Sequence, residues 1–496
     1  MDGNPLKIIV VGGGTAGWMA AASLTKLLGK SLDVTLVESD AIVTVGVGEA
    51  TIPTLLTLHN LLKIDEREFL TATNGTIKLG IQFENWLQKG HRYIHSFGYT
   101  GESCWAAGFH HFWLKGRELG FADPKFGRYA PELVAAENER FGFLPQAPLN
   151  YAYHMDATAY ARFLRNIAEN HGARRVEGRI IGIDRVASGD IQSVNLENGT
   201  SIPGDLFLDC SGFSGLLIDK TLSVPFEDYS TWLPCDRAVA VQTEGSDPLR
   251  PYTRSIAHEA GWRWQIPLQH RVGNGLVYSS EYMDEDSAVQ KLFGQLEASP
   301  ISEPRHISFQ TGQRKRHWDR NCVSIGLSAS FIEPLESTSI HLISRAIIRL
   351  MQMLPCKGSM EREREEFNRQ MFEEVEFIKD FIVLHYHLNQ RDEPFWMKMS
   401  QMELPASLKH RIALFTHSAK IFQKQGDVFG ENSWTQVMLG QGLYPSKHHP
   451  IVDLMSESEL SEFITHQGKK VDAVVRAIPS HSEFLDRYLT RTAPTS

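Results

Sequence analysis

No apolar run in these 496 residues approaches the roughly 20 residues a membrane-spanning helix needs. No dense lysine–arginine tract is present either. With 50 basic against 59 acidic residues and a net charge of −9, the chain lacks the electrostatic footprint of a nucleic-acid binder. The tightest basic knot, Arg314-Lys315-Arg316, reads as a solvated loop. Cysteine is sparse: Cys104, Cys210, Cys235, Cys322 and Cys356 are widely spaced, odd in number and free of any C-x-x-C pair. That pattern excludes a disulfide frame and a zinc site and fits reduced thiols. His385-x-His387 is no better as a metal pair, because an i, i+2 spacing on a helix points the rings apart. No charged-then-apolar leader precedes the apolar run at Lys7, and no repeat or low-complexity tract follows. A cytoplasmic enzyme with no nucleic-acid or membrane partner and no metal is expected.

What is present begins with a β-α-β unit. Lys7–Val11 is a short apolar run ending in glycines, Trp18–Leu28 reads as helix, and Leu32–Val37 is a second strand closed by Glu38. Residues 86–153 are aromatic-rich, glycine-interrupted and weakly periodic, the character of an insertion that builds a pocket. Regular structure returns with a helix over 160–170, a strand over 175–186 and a hairpin around Asn198-Gly199. Further strands are expected over 206–208, 238–243, 263–267, 275–281 and 323–325. Helices are expected over 340–353, 361–389, 405–425 and 457–475. The fold class expected is therefore α/β: a Rossmann-type domain over 1–345 followed by a mostly helical region over 346–496.

Gly12-x-Gly14-x-x-Gly17 follows a strand and opens a helix, the context in which glycines permit close approach of a pyrophosphate to helix-terminal amides. Glu38 ends the second strand, where a carboxylate accepts from ribose hydroxyls and disfavours a 2′-phosphate. No second such fingerprint occurs, so one dinucleotide is expected and a separate nicotinamide domain is not. Two downstream strand ends, at Asp209-Cys210-Ser211-Gly212 and at Gly326, favour FAD over NAD, since they offer a second contact for the isoalloxazine end; the 1–345 domain is thus expected to be FAD-binding and flavoprotein monooxygenase-like, with 346–496 on the substrate side. The lysine in Thr76-Ile77-Lys78-Leu79-Gly80-Ile81 is flanked by apolar residues. Desolvation there would lower its pKa and favour reaction with an electrophile. An ordinary surface lysine is the alternative. Glu336, in Pro334-Leu335-Glu336-Ser337-Thr338, is either a working acid or a carboxylate facing a helix N-terminus.

Together with Gly46-Val47-Gly48-Glu49-Ala50-Thr51 and Trp262-x-Trp264-x-Ile266-Pro267, these segments resemble, in order, those of flavin-dependent halogenases of the tryptophan-halogenase family. The resemblance implies a reduced FAD cofactor (FADH2), supplied by a separate flavin reductase, and chloride or bromide as co-substrate. It implies hypohalous acid delivered to Lys78, with Glu336 stabilising the cationic ring or removing its proton. It further places FAD against Gly12, Gly14, Thr15, Ala16, Gly17, Glu38, Glu49, Ala50, Leu327 and Ile340, and halide against the amides of Thr338 and Ser339, where the family commonly has glycine at the second position. His110, Phe112 and Trp434 resemble the residues that flank an indole substrate; a hydrogen-bonded loop histidine is the alternative for His110. Trp262 and Trp264 either screen substrate from flavin or pack on one face of a strand. The segment Trp434–Gly440 lacks the paired tyrosines with which tryptophan enzymes hold the amino-acid end of their substrate. Indole or a substituted indole is therefore expected ahead of free tryptophan, as in the branch of indole halogenases. A homodimer is admitted. The rival readings are an aromatic monooxygenase and a non-catalytic flavin-binding redox protein.

Overall fold

The computed structural model describes residues 5–41, 48–245, 248–354, 360–424 and 426–490. The fold is α/β, in two compact units that each draw on three stretches of chain. The first comprises Met1–Gly75, Met155–Pro234 and Ser308–Glu376; the second comprises Thr76–His154, Cys235–Ile307 and Phe377–Ser496.

The first unit is built on a six-stranded sheet in the order Trp318–Asp319, Cys322–Ser324, Leu206–Asp209, Leu6–Val11, Leu32–Glu38, Arg174–Glu177. All neighbouring strands run parallel except the first pair. Alternation along the central strand decides the layers. Ile9 and Val11, with Val37, Phe207 and Cys322, pack under a three-stranded meander carrying Ile191, Val194, Leu196 and Ile202. Ile8 and Val10 point the other way and are fully buried. On that side helix Thr15–Leu28 lies along Leu32–Glu38 and packs against helices Ala157–Asn170 and Ser339–Met353. The first helix stops at Gly29, whose φ of 55° suits glycine.

In the second unit the strands Arg237–Glu244, Arg271–Tyr278, Gly261–Pro267, Thr253–His258, Gly80–Glu84 and Arg92–Ser96 lie side by side. Only the pairing of Thr253–His258 with Gly80–Glu84 is parallel. Trp262 and Trp264 are both buried in this sheet, 6.1 Å apart between ring centroids. A Cβ on Gly275, in the next strand, would fall 1.9 Å from the Trp264 ring, so that glycine makes room for the indole.

Two sequence expectations are corrected. The strand expected over 175–186 is two strands, Arg174–Glu177 and Ile180–Arg185, in different sheets. Gly178, with φ 159°, stands between them. The helix expected over 405–425 runs only from Ala406 to Ser418, because Ala419 adopts the left-handed conformation at φ 55° and ends it; Gln425 lies outside the described residues. The insertion over 86–153 contains helices Phe109–Glu118 and Pro131–Glu137 and strand Ala152–Met155. Beyond residue 387 the chain is helical at Pro394–Ser400, Ala406–Ser418, Glu431–Gly440, Glu457–Ala477 and His481–Thr490. None of the described helices is long and apolar enough to cross a membrane.

Candidate functional site

In the first unit the glycine-rich turn is as tight as its motif requires. Gly12 has φ 109°, and a Cβ there would lie 2.3 Å from the Cys210 carbonyl oxygen. A Cβ on Gly17 would lie 1.9 Å from the Gly12 carbonyl oxygen. Gly13, which lies outside the spaced motif, faces the Glu38 side chain: a Cβ on it would overlap that carboxylate at 1.4 Å unless it moved. Gly14 caps helix Thr15–Leu28 in extended conformation with no side-chain hydrogen bond, so the first amides, of Thr15, Ala16 and Gly17, are directed outward as an anion site. Glu38 stands beside this turn and accepts from Arg175 Nε at 2.5 Å, while Arg175 Nη2 reaches Asp40. The floor of the cradle comes from far downstream. Gly326, with φ 77°, turns against Ala16 and Ile343: a Cβ there would sit 3.1 Å from the Ala16 methyl. Leu327 follows on that turn, and Ile340 lies buried on the helix that carries Ile343. Asp209 is fully buried and accepts from the amides of Leu217 and Ile218 at 2.8 Å each, which fixes the loop leaving Cys210. These residues, with the amide row and the acid at the second strand's end, fit a dinucleotide. Glu49 and Ala50 form a two-residue strand, and burial pushes the Glu49 carboxyl up to about 7. Gly46 and Val47 of that motif lie outside the described residues.

Glu336 ends the short 3₁₀ turn Pro334–Glu336 and is wholly buried. Ser337 then takes φ 59°, Thr338 is the N-cap, and Ser339 opens the 15-residue helix Ser339–Met353. The left-handed position is thus 337, not 339, so a serine at 339 costs no backbone strain. The amides of the first helical turn have no intrahelical acceptor. Glu336, Thr338 and Ser339 are brought together by one turn, as their adjacency suggests.

Lys78 ends strand Thr76–Lys78 in the second unit, pairing with Ala152 across an antiparallel ladder. Its side chain is wholly buried, and Nζ lies 5.3 Å from the centre of the Phe97 ring. Leu79 donates its amide to the Pro251 carbonyl at 2.7 Å, and Gly80 then lets the chain pass beside His95 and Ser96, where a Cβ would meet the His95 carbonyl oxygen at 2.5 Å. Thr76 shares the Lys78 face of the strand, and opposite it stands His154. The Thr76 hydroxyl donates to the Pro267 carbonyl, so it accepts from His154 Nδ1 at 3.0 Å. His154 Nε2 therefore accepts from the Thr253 hydroxyl at 2.9 Å. Burial, and then the Lys78 charge, hold that imidazole neutral, far below its usual range. Sequence reasoning passed over His154, whose only signal is a polar residue in an otherwise apolar strand.

His110 and Phe112 lie on helix Phe109–Glu118, Trp434 on helix Glu431–Gly440; all three are buried. They face different neighbours. His110 Nε2 donates to the Ala419 carbonyl at 2.7 Å, and burial lowers its pKa to about 4. Phe112 meets Phe463 edge-on at 5.3 Å. One face of Trp434 is covered by the Arg411 guanidinium at 4.0 Å, and Phe381 meets it in a T-shape at 4.8 Å. Glu431, on the Trp434 helix, comes within 4.0 Å of His110, and burial raises its pKa. Among the described residues no cluster of His, Cys, Asp and Glu could hold a metal ion, and Cys104, Cys210, Cys235 and Cys322 are free thiols. Cys356 lies outside the described residues.

Two expected results follow from this geometry. Gly17→Val places a branched side chain onto the Gly12 carbonyl, and flavin affinity should fall by more than about 100-fold. Titration of flavin fluorescence, with circular dichroism to confirm folding, measures it; unchanged affinity would put the cofactor elsewhere. Buried neutral histidines predict acid lability. Burial lowers His59, His111 and His317 to about 3, and His110, His258 and His481 to about 4, from an ordinary 6.5. Between pH 6.5 and about 4 the unfolded chain binds more protons, so stability is lost as pH falls through that window. Urea midpoints should drop clearly from pH 7.5 to pH 5; equal midpoints would contradict the assigned neutral forms.

The family model described as tryptophan halogenase matches residues 7–457. Xcc4156, a flavin-dependent halogenase from Xanthomonas campestris, is similar with a TM-score of 0.96 at 52% identity, covering 99% of this chain and 100% of that one. BrvH, a flavin-dependent halogenase from Brevundimonas sp. BAL3, gives 0.93 at 39% identity, with 98% and 99% covered. The tryptophan 7-halogenase RebH of Lentzea aerocolonigenes is 34% identical over 526 residues, covering 98% of this chain and 99% of that protein.

Proposed function

The chain belongs to the tryptophan halogenase family and is a flavin-dependent halogenase, and from that premise we propose that it halogenates indole or a substituted indole in preference to free tryptophan. Reduced FAD, O2, halide, a proton and the aromatic C–H compound give oxidised FAD, the carbon–halogen product and two waters. Bound reduced flavin would supply the two electrons that, with oxygen, turn bromide or chloride into hypohalous acid. The chain's residues do the rest. The amides of Thr15, Ala16 and Gly17 hold the pyrophosphate, with Gly12 and Gly14 clearing its approach and Glu38 accepting from the ribose. Glu49, Ala50, Leu327 and Ile340 hold the remainder of the cofactor. Thr338 and Ser339 present amides to the halide.

The observation that carries the reading is Lys78, an amine wholly enclosed by protein beside an aromatic ring. Such a group can capture the electrophilic halogen of hypohalous acid, either by donating a hydrogen bond to its oxygen or by forming an N–halogen bond with loss of water. An electron-rich ring then takes the halogen, and the family resemblance assigns the proton leaving that carbon to Glu336. The family resemblance assigns His110, Phe112 and Trp434 to the ring, although in this structure each packs against a different neighbour. The lack of paired tyrosines in Trp434–Gly440 supports a substrate without an amino-acid tail. We place the enzyme in the cytoplasm, served by a separate reductase and admitting a homodimer. Competition between indole and tryptophan in one reaction tests the substrate: kcat/KM should favour indole at least about 10-fold, and a preference for tryptophan would overturn this part.

A further inference from the structure

The C-terminal helix His481–Thr490 contributes a side chain that reaches the lysine strand. His481 is fully buried, and its Nε2 accepts the backbone N–H of Ile77, the residue before Lys78, at 3.2 Å. An imidazole nitrogen that accepts carries no proton, so the proton sits on Nδ1, which donates to the Leu249 carbonyl at 2.9 Å. One neutral ring thus ties the lysine strand to the 249–251 segment, whose Pro251 carbonyl also takes the Leu79 amide. The Lys78 peptide is therefore pinned on both flanks to the same segment.

The helix is itself anchored. His481 donates its amide to the Glu139 carbonyl at 2.8 Å, Arg140 and Ser480 form an antiparallel bridge, and Phe141 donates its amide to Pro479 at 3.3 Å. Phe484 packs edge-on against Phe141 at 4.8 Å and Phe143 at 5.2 Å. These contacts hold the helix, and with it the imidazole, in place. They place a ring of fixed tautomer where the strand's ladder with Ala152–Met155 leaves an amide to satisfy.

We infer that His481 is a positioning residue for Lys78, acting as a neutral acceptor for the Ile77 amide and so fixing where the buried amine presents the halogen. The inference rests on the reading of Lys78 given above. Its physical basis is that a reacting group displaced by about 1 Å loses on the order of 100-fold in rate. A protonated ring would turn a second N–H toward the Ile77 N–H, and burial keeps that form away.

The test compares His481→Gln with His481→Phe in the full-length enzyme supplied with reduced FAD, bromide and indole. Glutamine can both accept from Ile77 and donate to Leu249; phenylalanine fills the space and does neither. His481→Phe should lower kcat for bromoindole at least about 10-fold with little change in KM for indole. Its flavin oxidation rate should hold, and the bromine missing from indole should appear in a soluble hypohalite trap. His481→Gln should recover kcat to within about 3-fold. Equal kcat in both variants and wild type, or flavin oxidation falling in step with halogenation in both, would overturn the inference. Lys78→Ala is run alongside. If it keeps halogenating, the reading of Lys78 fails; if it stops while His481→Phe stays coupled, only the role of His481 fails.

Discussion

Lys78→Ala is expected to cut indole halogenation by at least about 10³-fold while flavin oxidation in the presence of halide continues at the wild-type rate. The side chain is wholly buried, so its loss leaves a cavity among its neighbours. A chemical melt on the variant separates any loss of stability from the loss of the amine. The chemical loss is the capture site: hypohalous acid then diffuses, reacts with the trap, and leaves indole unmodified or randomly modified. Lys78→Met, closer in volume, should behave the same, which separates the amine's chemistry from its packing. Parallel assays of bromoindole, trapped oxidant and flavin oxidation give the three rates. A variant that halogenates at more than a tenth of the wild-type rate would remove Lys78 from the mechanism.

The second large effect is at Glu336. Glu336→Gln keeps the shape and the hydrogen-bonding reach but cannot take a proton, and should lower kcat by about 10²–10³-fold. Flavin oxidation should persist, and so should loading of the oxidant. The alternative reading, in which Glu336 only faces the dipole of helix Ser339–Met353, predicts a different outcome: a loss of about 0.3–1 kcal/mol in stability and an almost unchanged kcat. Rapid-quench product formation with chemical melts on the same samples separates the two. Glu336 is wholly buried in a 3₁₀ turn that precedes a left-handed Ser337, so the carboxylate is held by backbone geometry as well as by its neighbours.

Much of the first unit was legible because its signals are local. The run at Ile8–Val11, the glycines, and Glu38 one strand later specify a strand, turn, helix and strand whose order admits few topologies. Asn198-Gly199 marked its hairpin for the same reason, joining Ile191–Leu196 to Ser201–Pro203. What stayed hidden depends on distant contacts. Strand Thr76–Lys78 is three residues long, too short to show any period. Helix Phe109–Glu118 begins with five consecutive buried residues, Phe109 to Trp113, so no polar face betrays it. Gly178 separates two strands of different sheets without any change of composition around it. The division into units interleaves three stretches of chain in each, which no linear reading of composition gives. Lys78 was visible from its apolar flanks; His154, from a strand more than 70 residues away, and His481, from the far end of the chain, were not. Gly13 shows a lesser case: a position beside the motif whose space is taken by the Glu38 side chain rather than by backbone.

The central claim is that oxygen, taking electrons from reduced flavin and from halide to become water, leaves a carbon–halogen bond on an indole ring. A panel of indoles and tryptophan, incubated with enzyme, a flavin reductase, FAD, NADH and bromide and read by mass spectrometry, tests it most directly. The account predicts a monobrominated indole carrying the near-equal isotope pair of bromine, absent without the enzyme and, with a hypohalite trap present, lost in Lys78→Ala. A product heavier by one oxygen and lacking that pair, formed in the presence of bromide, would contradict it.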